Sequence, residues 1–189
     1  MLLLFIFAYS ITVGFLLGGR LSNLVNLRIE GEIPILLAVL IQSILRGVGG
    51  ELGLSVGVVV TAWVVVTTAM AVFAWLNRAS FGFILISLGA VANALVVACN
   101  GGMPVSERAL AASGLESILE RLVSHVDFYV LASEETWAPW LGDVLPLPLW
   151  GQSAVLSLGD VLMFVGIAVF IIMSMRVVDA PPQHMNREL

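Results

Sequence analysis

The run Phe81–Cys99, FGFILISLGAVANALVVAC, holds no charged side chain, and four more apolar runs share the chain with it: Leu2–Gly19, Ile33–Val48, Leu54–Leu76 and Leu158–Met175. A helix crosses the hydrocarbon core of a bilayer with about 20 predominantly apolar residues, in a range of about 17–25. Recurrence at that length leaves few folds open. With 60% hydrophobic residues, 11% charged ones and a mean hydropathy of +1.06 over 189 residues, the chain has more apolar surface than a water-soluble domain can hide. A soluble domain of this size leaves roughly a third of its surface exposed. The expectation is an all-α fold, a polytopic bundle of about five transmembrane helices. Ile33–Val48 is the shortest run and carries Gln42 and Arg46, so it either spans with its polar groups satisfied or re-enters on one side.

The connections are brief except for one. Residues 1–176 read as a single transmembrane bundle with a long external loop at 100–157, and residues 177–189 as a cytoplasmic polar tail. The start, MLLLFIFAYS, lacks the basic n-region of a secretory signal and reads as a retained helix. Arginine supplies every basic charge, and cytoplasmic loops are enriched in it. Five spans put Arg20, Arg28, Arg78, Arg176 and Arg187 on one side and Arg46, Arg108 and Arg121 on the other. The bias places the N-terminus outside and the C-terminus in the cytoplasm of a bacterial inner membrane.

Inside the long loop, Ser113–Glu116 reads as a capping box, where a serine oxygen and a carboxylate each take a free helix-end donor. Leu115, Ile118, Leu119, Leu122, Val123 and Val126 then recur at helical spacing. The pattern predicts an extracytoplasmic amphipathic helix on the membrane surface or across the mouth of the bundle. Trp137, Trp140 and Trp150, interleaved with prolines, suit the headgroup layer, where tryptophan is enriched.

Polar residues within a membrane are costly and point to function by default. Gly82, Gly89, Asn93 and Asn100 fall near one helical face, with Asn93 roughly 10 Å below Asn100 at 1.5 Å per residue. Gln42 lies at a similar depth, within hydrogen-bonding expectation of Asn93, and Arg46 sits one turn above it, in reach of Asp160 as a counter-ion. In VVACNGGMPV, Asn100 and Gly101 suit a helix C-terminus, and Gly101 and Gly102 bare backbone N–H groups that could receive an anion or headgroup. A repeated Gly-Asp-Val-Leu string presents Asp143 and Asp160. Two converging acids could share a proton for hydrolysis, yet Ser157–Asp160 also reads as a capping box. His125 lies at the edge of the amphipathic face and has too few neighbours for a metal site, which takes three or four ligands.

The net charge of −5 and the lack of a basic patch exclude nucleic acid as a partner, and the single Cys99 excludes an internal disulfide. No cofactor is expected. Ser10, Gly14 and Gly18 stand four residues apart, a spacing that lets two helices approach closely, within this bundle or onto another membrane protein.

GGRL at Gly18–Leu21, NGGMPV at Asn100–Val105, and LGDVLPLPL with SLGDVL before the last run together resemble an uncharacterised bacterial family of polytopic inner-membrane proteins, known as a domain of unknown function. The resemblance implies an integral membrane protein over nearly the whole chain and carries no activity with it. The expected role is a non-enzymatic binding or partner subunit. Its polar site at the outer face would use Gln42, Arg46, Asn93, Asn100, Gly101, Gly102, His125, Asp143 and Asp160 toward a small molecule or lipid headgroup. The alternatives are a membrane-embedded hydrolase using Asp143 and Asp160, and a structural subunit of a larger membrane complex.

Overall fold

The computed structural model describes residues 2–25, 27, 29–48, 53–115, 128–148 and 153–176, with the backbone alone at 32 and 45–48. His125, the expected amphipathic face from Glu116 to Val126, Trp150 and the tail at 177–189 lie outside these residues, as does the Arg46 side chain.

Among the described residues, three helices are long and apolar enough to cross a membrane: α4 (Val56–Leu76), α5 (Phe81–Asn100) and α7 (Leu158–Arg176). Two shorter apolar helices accompany them, α1 (Leu2–Leu16) and α3 (Glu32–Val48), joined by the single turn α2 (Ser22–Val25). At 15 and 17 residues, α1 and α3 would measure about 23 and 26 Å, short of the roughly 30 Å of a hydrocarbon core. The chain is thus mostly helical, and the five-span expectation rests on three full-length helices.

Helices α5 and α7 run antiparallel and touch backbone to backbone at two points. A Cβ on Gly166 would lie 2.6 Å from the Gly82 carbonyl oxygen, and one on Gly159 would lie 2.6 Å from that of Gly89. Both pairs are seven residues apart on their own helices, so the crossing repeats after two turns. Lipid tails are as apolar as leucine, so helices in a bilayer gain little from burying large side chains and associate through close packing and hydrogen bonds. Helix α4 lies along α5 and is joined to it by a buried bond in which Ser87 Oγ donates to the Ala71 carbonyl, 2.9 Å. Helix α1 packs on α7 through Ser10 and Gly14, which are buried, and Met175 fills the space that Gly14 and Gly19 leave open. Gly18 instead turns the chain at φ 81° with nothing near its Cα hydrogen.

The ends of α1, α4 and α7 and the starts of α3 and α5 meet at one end of the bundle. There Arg20 N donates to Met175 O (2.8 Å), and Phe73, Phe83 and Phe170 form a ring cluster with centroids 5.7 and 4.7 Å apart. At the opposite end stands a sheet that the all-α reading did not contain. Its strands are β1 (Met103–Val105), β2 (Tyr129–Leu131), β3 (Asp143–Leu147) and β4 (Ala154–Ser157), in the order β2-β1-β3-β4. β1 is parallel to both neighbours, and β3 and β4 are antiparallel. Strands of three to five residues are too short to show a two-residue alternation, and Pro104 and Pro146 argue against strands on sight.

The sheet tolerates these prolines for geometric reasons. Met103 N donates to Phe128 O and Val105 O accepts from Ala132 N, so the odd residues of β1 turn toward β2. Pro104 therefore faces the β3 side, where pairing begins one residue later at Val105↔Asp143 and no donor is needed. Beyond Asp143, β3 no longer meets β1, and Pro146 sits in an edge. The short helix α6 (Glu107–Ala112) starts at Ser106, whose side chain accepts from Ala109 N, and ends at Ser113. The Ser113 hydroxyl donates to Ala154 O of β4, 3.0 Å, and the remainder of the capping box expected at Ser113–Glu116 lies outside the described residues.

The glycine contacts allow a direct check. Gly89→Ala would drive a methyl into the α7 backbone, whereas Gly57→Ala in α4 meets nothing within 4 Å. In detergent-solubilised protein, Gly89→Ala should lower stability by about 1–3 kcal/mol, read as a fall in thermal midpoint. Gly57→Ala should leave the midpoint unchanged or raise it.

Candidate functional site

Three residues, from α5, the end of β4 and the first turn of α7, form a closed ring of hydrogen bonds where the bundle meets the sheet. Ser157 Oγ donates to Asn93 Oδ1 (2.9 Å), Asn93 Nδ2 donates to Asp160 Oδ1 (2.8 Å), and Ser157 N donates to Asp160 Oδ2 (3.1 Å). Asp160 N donates in turn to Ser157 Oγ, 2.9 Å, which completes a reciprocal capping box at the start of α7. Asn93 is 1% exposed. Its side chain occupies the space a Cβ on Gly159 would need, 2.6 Å from Asn93 Cγ. The glycine that brings α7 against α5 also admits the amide.

The ring borders a cavity of about 510 Å³ between α3, α4, α5 and α7, lined by Gln42 and Ser43 from α3, Trp63, Thr67 and Met70 from α4, Asn93, Asp160 and Met163. Gln42 and Asn93 thus face one space, but the Asn93 amide is spent on Ser157 and Asp160 and the expected bond between the two amides does not form. Asp160 is the one formally charged side chain among the described lining residues. Trp63 is buried and packs on Phe128 with the ring centroids 5.2 Å apart and the planes tilted by 51°, which ties the cavity wall to the start of β2.

A family model described as a family of unknown function matches residues 26–172. The chain belongs to that family, DUF5317. The matched residues include every side chain that lines the cavity and leave out α1. An uncharacterised protein of Thermotoga maritima is 36% identical over 112 residues, a match covering 58% of this chain and 61% of that protein's length. No solved structure matches the chain.

The other expected site residues of this DUF5317 chain are placed differently. Asn100 closes α5, and its amide is committed to backbone: Nδ2 donates to Val96 O (2.7 Å) and Trp137 O (3.1 Å), and Oδ1 accepts from Trp137 N (2.8 Å). Gly101 takes the left-handed conformation at φ 69°, and its N–H and that of Gly102 are directed at Val97 O. The carbonyls at the end of a helix need donors, so these N–H groups end the helix and are not left over for an anion. Gly102 also lets the Phe128 carbonyl approach, 2.6 Å from where its Cβ would stand.

Asp143 is buried at the start of β3, opposite Ser157 in register. It lines a separate cavity of about 220 Å³ with Val105, Leu110, Tyr129 and Ala154. Asp143 and Asp160 therefore line different cavities, which leaves an aspartyl pair without a common substrate pocket. Among the described residues no three His, Cys, Asp or Glu side chains gather to hold a metal ion.

Thr67, Ser43 and Trp63 were not singled out in the sequence, although a hydroxyl inside an apolar run is the kind of signal that marked Asn93. Asn77 was missed as well. It ends α4 as Asn100 ends α5: Nδ2 donates to Phe73 O and Glu30 O, and Oδ1 accepts from Glu30 N, 2.9 Å.

The ring predicts coupling. Asn93→Ala and Ser157→Ala should each destabilise the solubilised protein by about 1–3 kcal/mol, since each strands a buried polar partner. The double variant should cost less than the sum, and strictly additive thermal shifts would show that the two side chains act independently.

Proposed function

We propose that this chain is a five-helix, multi-pass subunit of a bacterial cytoplasmic membrane that binds a small molecule without transforming it. The observation that carries the reading is the cavity beside the Asn93–Asp160–Ser157 ring. A carboxylate, the Gln42 amide and the hydroxyls of Ser43 and Thr67 stand there among Trp63, Met70 and Met163. Polar groups gathered on one internal space between membrane-length helices are the usual mark of a ligand path or site. One carboxylate with acceptor oxygens and an aromatic wall suits a ligand with a positively charged or hydrogen-bond-donating head and an apolar body.

The orientation has its own support. Arg20 and Arg78 follow the ends of α1 and α4 and Arg176 closes α7, three ends that share one end of the bundle, and arginine-rich ends remain cytoplasmic. The sheet then faces outward and the cavity lies beneath it. Helices α1 and α3 cross with help from flanking residues or local thinning of the bilayer, the usual response to a short span.

Two measurements test the proposal. With Cys99→Ser as background, Glu134→Cys should react with a membrane-impermeant maleimide on intact spheroplasts, and Arg78→Cys only after lysis; the reverse pattern rejects the orientation. Native mass spectrometry of protein taken from its own membrane should show a bound small mass that Asp160→Asn and Gln42→Ala each lose. Empty spectra for all three proteins would remove the binding role.

A further inference from the structure

Trp137 and Trp140 are among the largest apolar side chains of the chain, yet they are 48% and 59% exposed. They flank Ala138 and Pro139 at the head of the 3-10 turn Pro139–Leu141, which packs against α5 and α7. The loop is built with some force. Ala138 has φ 46° and ψ 58°, the one positive φ outside glycine among the described residues. A residue with a Cβ rarely adopts this conformation, and the residue before a proline avoids helical geometry of either hand. Such strain persists only where surrounding bonds hold it. Here Asn100 grips both backbone groups of Trp137, and Leu141 N donates to Ala138 O, 2.9 Å.

We propose that this loop is a bilayer-interface anchor, whose partner is the headgroup and upper acyl layer of the lipid itself. Its depth is set by Asn100, the last residue of a helix long and apolar enough to cross a membrane, so the two rings stand where that crossing ends. The exposed stripe Leu88, Val91 and Leu95 climbs α5 toward this level, and Leu145 and Leu158, 36% and 37% exposed, extend the apolar collar on β3 and α7. Just ahead of the two indoles in the chain, Glu134 and Glu135 are exposed. An indole has an apolar body and one N–H donor, which suits the lipid carbonyl and phosphate region. With acids and no basic residue between Ser133 and Pro148, the anchor calls for no anionic lipid. A protein partner is the competing occupant.

The test uses the full chain labelled with 5-fluorotryptophan and reconstituted in phosphatidylcholine nanodiscs. The two fluorine resonances are assigned by their disappearance in Trp137→Phe and Trp140→Phe. Both should lose most of their intensity with a lipid spin-labelled near the headgroup, and keep it with a chain-end label or an aqueous gadolinium chelate. Trp63, 8% exposed in the core, should resist every agent and report an intact fold. The proposal is overturned if the aqueous chelate quenches the pair and the lipid label does not. It is equally overturned if neither agent reaches them, since another protein surface then covers the loop.

Discussion

Helices in a bilayer compete with lipid for every apolar contact, so a membrane bundle needs some interface that lipid cannot imitate. This chain, three of whose described helices are long and apolar enough to cross a membrane, has such an interface in the approach of two backbones, Gly82 to Gly166 and Gly89 to Gly159. Lipid can cover a leucine as well as another leucine does; it cannot reach between two helix backbones that carry no Cβ. The polar ring depends on this approach. Asn93 lies one turn beyond Gly89, and Ser157 and Asp160 flank Gly159, so the hydrogen bonds fall at the point where the crossing is tightest. The wide face of α5 is left for α4, which among the described residues has no comparable glycine contact and is held by the Ser87 hydroxyl and the edge-on contact of Phe73 with Phe83.

A second device is repeated at both ends of the bundle. Asn77 and Asn100 each close a helix, each return an amide proton to the carbonyl four residues back, and each bond both backbone groups of a residue in a distant loop. An asparagine side chain has the donor and acceptor of a peptide group, so it stands in for a strand partner where no strand fits. Asn23 does related work, donating to Met175 O at the end of α7. These amides settle loop positions that apolar packing, which is non-directional, leaves undetermined.

Much of the helical part was legible because length and hydropathy speak directly to the solvent. The expected run Leu54–Leu76 became Val56–Leu76, Phe81–Cys99 became Phe81–Asn100, and Leu158–Met175 became Leu158–Arg176. The Ser157–Asp160 cap was readable because a capping box is a local pattern, complete within four residues. The sheet was not. Its strands pair across a stretch from Met103 to Ser157, and such pairing leaves no trace in any one window of sequence. Part of the geometry of the candidate site was legible: Asn93, Gln42 and Asp160 do line one cavity, since polar residues in apolar runs turn inward for want of any alternative. Asn100, Gly101 and Gly102 looked like ligand groups for the same reason, but a helix end carries its own unsatisfied carbonyls, and those claimed them first.

The cavity exists because α3 does not close against the glycine-paired core. α3 packs on α4, and among the described cavity-lining residues of α3, Ser43 bonds within its own helix, to Val39 O. Its entry is nevertheless pinned, because Asn77 holds Glu30 just ahead of it. The cavity is thus lined on one side by the glycine-paired helices, which carry Asn93 and Asp160, and on the other by α3, which carries Gln42 and Ser43. A polar group entering between them would meet the amide of Gln42 and the carboxylate of Asp160 from opposite walls, while the hydrogen bonds of Asn93 and Ser157 hold that carboxylate in place.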